Sequence, residues 1–427
     1  MAAAAAAQLA HLAPVDALGW VQALLAAAAL FLVYRYLIRP LDYRRDLSDV
    51  GFGHVGGVAG AGVRHRRADV VRDVRRRRRV GALPPVYPNG WFALLESDAL
   101  PAGEVRHVAA LGENWAVLRT ADGQAHVLDA YCPHLGANMA VGGAVRGDCL
   151  ECPFHGWRFN AHDGRCAAVP YADKVPEFAR VKRWESCEAN GFVFVWYHAE
   201  GEPPSWQVEA VPQVARGEWL FRGRSEFLIN SHIQEIPENG GDVAHLNAIH
   251  APSLLGGGDL VRAQKLPFRF LRHVWAAAWA AQTEPGRTHL ATMHLQHETR
   301  LLGKVRVLAM DVRAEQIGPA YVEMYLRSAL GDLLIVQAVT PLEPLLQRVV
   351  HHVYAPPRLA LFAPLLLLSE AIMFERDIMV WNHKKYEDKP LLVREDKTIQ
   401  RHRRWYSQFY SENSPRHSFV SQNSLDW

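Results

Sequence analysis

Four residues in the stretch CPHLGANMAVGGAVRGDCLECPFHGW, Cys132 to Trp157, have types and spacing suited to holding metal. Cys132 and His134 stand as Cys-x-His, and Cys152 and His155 as Cys-x-x-His. Each short loop thus offers one thiolate and one imidazole. Zinc fingers instead place both cysteines together and both histidines together. A mixed set suits a cluster whose two irons differ, one held by sulfur and the other by neutral nitrogen, which raises the reduction potential. Gly136 and Gly156 permit the tight turns that aim such ligands inward. Cys149, Cys166 and Cys187 have no place in this pattern; Cys149 reads as a packed thiol, and Cys166 and Cys187 are left unassigned.

A second set lies in NGGDVAHLNAIH, with Asp242, His245 and His250. Histidines five apart on a regular helix diverge by about 140°. Shared metal binding therefore needs a helix that is distorted, for instance by a π-bulge, or ended there. Asp242, three residues before His245, shares its face. Spacing alone leaves a pair of core histidines as the default reading.

Short strands must position the first set. NWAVLRT, the turn ADGQ and AHVLDAY predict a hairpin with an Asp-Gly signal. GFVFVWY (Gly191–Tyr197) predicts a buried strand. Beyond Pro203, HLATMHLQHETR, KVRVLAMDVRA and AYVEMYLRS predict strands of a larger sheet. LALFAPLLLLSEAIMFERDIMVWNHKKY predicts a helix broken near Pro364. The order is an all-β unit followed by an α+β unit.

The chain has 427 residues, 49% of them hydrophobic, enough for two cores. Its net charge of +3 and five unevenly spaced cysteines argue against a polyanion binder and against a disulfide scaffold. ALGWVQALLAAAALFLVY (Ala17–Tyr34) carries no charge and predicts a single membrane-spanning helix. Arg35, Arg39, Arg44 and Arg45 follow it, which puts the remainder on the cytosolic side. GFGHVGGVAGAG (Gly51–Gly62) reads as a flexible linker, and the arginines from Arg64 to Arg79 as a solvated segment or a contact for anionic lipid. The run lacks interleaved aromatics, which excludes a nucleic-acid module.

With Pro133, Pro153 and Gly156-Trp157 beside the ligands, the two loops resemble the Rieske [2Fe–2S] motif. Together with Asp-x-x-His-x-x-x-x-His, the chain resembles Rieske non-haem iron oxygenases. RRRRRVGALPPVYPNGWFAL, IPENGGDVAHLNAIH, RDIMVWNHKKY and RRWYSQFYS are similar to the Neverland-type sterol 7-desaturases of animals. The resemblance implies an α+β chain: an all-β Rieske domain (86–202), then an α+β, helix-grip-like catalytic domain (203–427). An N-terminal region (1–45) carrying the anchor (about 17–34) and a Gly/Arg-rich linker (46–85) precede them. It implies a mononuclear Fe²⁺ held by His245, His250 and a late carboxylate. Glu370, Glu375 and Asp377 compete for that place; Asp377 matches the family position and precedes the apolar Ile378 and Met379. Asp242 becomes the acid that bridges to a cluster histidine of a neighbouring subunit in a head-to-tail trimer.

The implied reaction converts cholesterol to 7-dehydrocholesterol with O₂, in the endoplasmic reticulum membrane. No Gly-rich dinucleotide fingerprint precedes a helix, so NAD(P)H electrons must arrive through a separate reductase. Hydroxylation of another lipid, or electron transfer without a catalytic iron, are the competing readings.

Overall fold

The computed structural model describes residues 17–34, 39–53, 63–265 and 270–417. Three small antiparallel sheets fill the first half. Glu113–Arg119 pairs with Val105–Ala110 and with Ala125–Asp129, which closes the expected hairpin. A second sheet runs from Ala144–Arg146 through Cys149–Glu151 and Arg158–Asn160 to Cys166–Ala168. In the third, Phe192–Tyr197 is central, between Ser186–Ala189 and Gly90–Glu96.

Every residue of Phe192–Tyr197 is buried, and its alternation explains why it reads as one apolar run. Val193, Val195 and Tyr197 pack with Trp115 and Val117 of the first half. Phe192, Phe194 and Trp196 pack with Tyr321, Leu334 and Val336 of the second half. Both faces of the strand are therefore covered. Glu96, at the end of the neighbouring strand, adds a polar clamp. It meets Arg224 at 2.6 Å, Arg348 at 3.2 Å and His352 at 3.3 Å.

The second half is an eight-stranded sheet. Leu220–Ile229, Leu346–Ala355, Gly331–Glu343, Tyr321–Ser328, Val305–Ile317, Leu290–Leu301 and Leu271–Ala281 are joined antiparallel in that order. The helix Phe362–Trp381 lies against it, with Phe374 packed on Phe227 and His351. Pro364 does not break this helix. It sits in the first turn, where its missing N–H has no intrahelical acceptor to lose.

The N-terminal region departs from the sequence expectation in three places. Leu41–Arg45, after the expected anchor, forms the edge strand of the large sheet, parallel to Leu220–Ile229. Tyr43 and Arg45 on it bind the Glu375 carboxylate at 2.5 and 2.7 Å. The arginine run is a helix, Val63–Arg77, rather than a linker. Asp69–Arg72 and Asp73–Arg77 pairs offset repulsion along it, and Val71 buries against Phe52. The Gly-rich stretch falls mostly outside the described residues. Ala17–Val33 is helical, with Trp20, Leu24, Leu25, Leu30 and Phe31 exposed. No helix among the described residues is long and apolar enough to cross a membrane. Seventeen residues rise about 25 Å, against about 30 Å of hydrocarbon.

Because Phe194 is fully buried in the shared core, Phe194→Ala should cost about 3–5 kcal/mol. Denaturant unfolding followed by far-UV and near-UV signals should stay a single transition. Two separate transitions in the native protein would show that the halves do not share one core.

Candidate functional site

The two cluster loops are built alike. In each, a glycine N–H returns to the cysteine carbonyl, Gly136 to Cys132 at 2.9 Å and Gly156 to Cys152 at 3.0 Å. Both glycines have φ of +74°, a conformation that favours glycine. Cys132 and Cys152 are buried and face one another, and burial pushes the Cys132 thiol up to about 11. A thiolate there needs nearby positive charge, which ferric ions supply. The imidazoles of His134 and His155 stand with ring centres 4.7 Å apart, His134 stacked on Trp157.

Among the described residues, the group of three or more metal-type side chains whose ligand atoms fall within 4.8 Å of one another is His245, His250 and Asp377. All five cysteines are free. Burial pushes Cys187 up to about 11.

Two short helices meeting at Asp242 carry the second site. Glu235–Gly241 ends at Asp242, where φ is −94° and ψ is 78°, and Val243–Ile249 starts from the same residue. His250 is the cap of that second helix, its N–H still bonded to the Leu246 carbonyl, and the two side chains bring the ring centres of His245 and His250 to 5.3 Å. The helix ends at His250 without a π-bulge. Asp242 plays two local parts. Its carboxylate accepts from the His245 backbone N–H, and its carbonyl accepts from His245 Nδ1–H.

That second bond fixes the tautomer and leaves a lone pair on His245 Nε2. This nitrogen lies 3.9 Å from Asp377 Oδ1, and His250 Nε2 lies 3.2 Å from Asp377 Oδ2. Two imidazole nitrogens and one carboxylate with ligand atoms within 4.8 Å of one another form a donor set that fits a divalent metal ion. Of the three competing acids, Asp377 is the one brought to the imidazoles. Glu375 turns away to Tyr43 and Arg45, and Glu370 lies two helical turns from Asp377.

Two supports are invisible in the sequence. Asn239 donates to Asp377 Oδ1 at 3.0 Å and aims it. Arg376, wholly buried, donates to the carbonyls of Ile249, Pro252, Ser253 and Gly257 at 2.8–3.2 Å. It pins the loop after His250 onto the helix that carries Asp377. Local sequence gives no sign of either, because the partners lie more than a hundred residues away.

The site opens into a cavity of about 310 Å³ between helix and sheet. Met293, Met310, Leu326, Ile335, Leu366 and Phe374 make most of its surface apolar. His273 and His297 also border it, 2.9 Å apart. Burial holds them neutral, down to about 4 and about 3. The volume is at the lower end for small-molecule sites, roughly 300–1,000 Å³.

Arg376→Met should leave several buried carbonyls unpaired and cost about 3 kcal/mol or more. Hydrogen exchange should rise across residues 249–257, and metal occupancy at the imidazole–carboxylate group should fall while the cluster absorbance persists. Unchanged exchange in that loop would remove Arg376 from its positioning role.

Residues 90–179 match the Rieske [2Fe-2S] domain family, and residues 195–410 match the 3-ketosteroid 9alpha-hydroxylase C-terminal domain family. The chain is 48% identical over 397 residues to a cholesterol 7-desaturase of Xenopus laevis, covering 92% of this chain and 86% of that one. Against a cholesterol 7-desaturase of Drosophila melanogaster it is 39% identical, covering 90% and 89%. A probable 3-ketosteroid-9-alpha-monooxygenase oxygenase component of Rhodococcus rhodochrous is 32% identical, with 78% and 82% covered. The crystal structure of dicamba monooxygenase bound to dicamba shares the fold, with a TM-score of 0.56, 13% identity and 75% and 97% coverage. The cofactors follow from these matches and the two donor sets: a Rieske [2Fe–2S] cluster and a mononuclear iron that works with O₂. With one half built around the cluster loops and the other around paired imidazoles and a carboxylate, the chain belongs to the Rieske oxygenases, an oxidoreductase of the cholesterol 7-desaturase family.

Proposed function

We propose that this protein desaturates cholesterol between C7 and C8, giving 7-dehydrocholesterol. The observation that carries this reading is the convergence of His245, His250 and Asp377 at the wall of an apolar cavity. The same convergence favours an oxygenase over a Rieske protein that only relays electrons. The two hydrogens that leave C7 and C8, with two electrons and two protons, reduce O₂ to two waters. When bound, the iron supplies an oxidant strong enough for an unactivated C–H bond, and its electrons come from NAD(P)H through a separate reductase and the cluster.

Cys132, His134, Cys152 and His155 hold the cluster, and His245, His250 and Asp377 hold the iron. The Asp242 carbonyl keeps the His245 proton on Nδ1, and Asn239 keeps the Asp377 carboxylate turned to the imidazoles. The cavity wall excludes water and holds the sterol rings against this face. Hydroxylation of another lipid is the second reading, because placement of the substrate alone separates hydrogen loss from hydroxyl transfer.

Asp242 bridges to a cluster histidine of the next subunit in a head-to-tail homotrimer. Leu135, Phe154 and Tyr171 lie exposed beside the cluster, an apolar surface suited to a neighbouring copy. The exposed apolar helix Ala17–Val33 attaches the protein to the endoplasmic reticulum membrane, with the catalytic half in the cytosol. The boundary between Rieske and catalytic domains falls near residues 202 and 203.

Reconstituted enzyme given cholesterol, a reductase, NADPH and O₂ should yield 7-dehydrocholesterol by mass spectrometry. His245→Ala should abolish product while the cluster spectrum persists; a hydroxysterol as sole product would favour the second reading. Deleting residues 1–38 spares the Leu41–Arg45 strand and should release the protein from membranes as a trimer by light scattering. Retention in the pellet would place the attachment elsewhere, and a monomer would speak against the assembly.

A further inference from the structure

Glu370 is a buried acid of the cavity wall that neither metal site uses. It stands seven residues before Asp377 on the helix Phe362–Trp381, so both lie on one face, about 10 Å apart along the axis. Both border the cavity. The Glu370 side chain is surrounded by protein yet retains 22% accessibility, because the cavity lies against it.

Its hydrogen-bonding capacity is unfilled. Oε2 is buried and meets no partner, and the nearest ring nitrogen, His351 Nε2, lies 3.5 Å from Oε1. That histidine is no counter-ion. Burial holds it neutral, down to about 3. Its Nε2–H donates to Gln337 Oε1 at 2.9 Å, and its Nδ1 accepts from Ser225 Oγ at 3.1 Å. Burial, with a smaller push from the Asp377 charge, raises Glu370 to about 8, so the acid carries a proton at neutral pH. Its neighbour Ser369 is already bonded to the Leu365 carbonyl at 2.8 Å. A protonated carboxyl can both donate and accept, and a hydroxyl offers the complementary pair.

We propose that the Glu370 carboxyl receives the 3-hydroxyl of the sterol and thereby sets which ring faces His245, His250 and Asp377. The assignment rests on the sterol reading given above. The hydroxyl is on the first ring and C7 on the next. Anchoring the first ring at Glu370 points the second along the helix toward Asp377. Two helical turns accommodate the hydroxyl, the first ring and a contact between the second ring and the ligand set.

Full-chain holoenzyme, checked for iron content and cluster absorbance, allows a test that needs no turnover. Trp275, Trp279 and Trp381 line the cavity, so sterol binding can be read by quenching of tryptophan fluorescence. Cholesterol should bind about tenfold or more tighter than cholest-5-ene, which lacks the hydroxyl. Glu370→Leu should erase that preference with cholest-5-ene affinity unchanged, and Glu370→Gln should retain part of it. Equal binding of the two sterols by the native protein, or a preference that survives Glu370→Leu, overturns the assignment. So does a preference lost instead in His297→Leu, whose native Nδ1 is also buried without a partner. Binding of neither sterol removes the sterol reading itself and this assignment with it.

Discussion

The meeting of two imidazoles with one carboxylate is the constraint on which the catalytic half is built. His250 Nε2 and His245 Nε2 are held 3.2 and 3.9 Å from the Asp377 carboxylate, with the His245 proton on Nδ1. Such an arrangement draws stability from a cation bound within it. The surrounding structure is therefore organised to impose it. A short helix capped at His250 carries both histidines, Asp242 sets the His245 tautomer, Asn239 aims the acid and Arg376 locks the loop to the helix.

The same helix joins the remaining parts of the enzyme. Glu375 fastens it to the N-terminal edge strand, Phe374 to the sheet, Arg376 to the loop after His250 and Asp377 to the imidazoles. Four consecutive residues thus face four different partners, as the 100° step of a helix allows. One turn further back, the same element forms the cavity wall. Rigidity here matters because an oxidant that removes hydrogen must meet one carbon and not its neighbours.

The halves are not independent modules. Phe192–Tyr197 and Gly90–Glu96 give alternate side chains to two cores, both of which reach into the catalytic half. Electron transfer and oxidation therefore sit on a scaffold in which the cluster domain is fixed to the catalytic sheet. The exposed apolar residues beside the cluster point outward from that body.

Much of this was legible in the chain. The cluster ligands lie within 24 residues on two short loops, so their types and spacing carry the chemistry locally. The alternating strands and the long apolar helix were also readable, because period-2 and period-3.6 patterns are local properties. Pro364 misled because its cost depends on position in the helix, and the arginine run because its paired aspartates and buried Val71 matter only once folded. Spacing alone argued against a shared metal at His245 and His250, and left three acids in competition. Tertiary structure brings His245, His250 and Asp377 together, since the clamp from Arg376 and the turning away of Glu375 depend on partners far along the chain. Sequence determines which donors exist and which elements form; only packing decides which lone pairs converge, because convergence requires contacts between segments that local propensity cannot register.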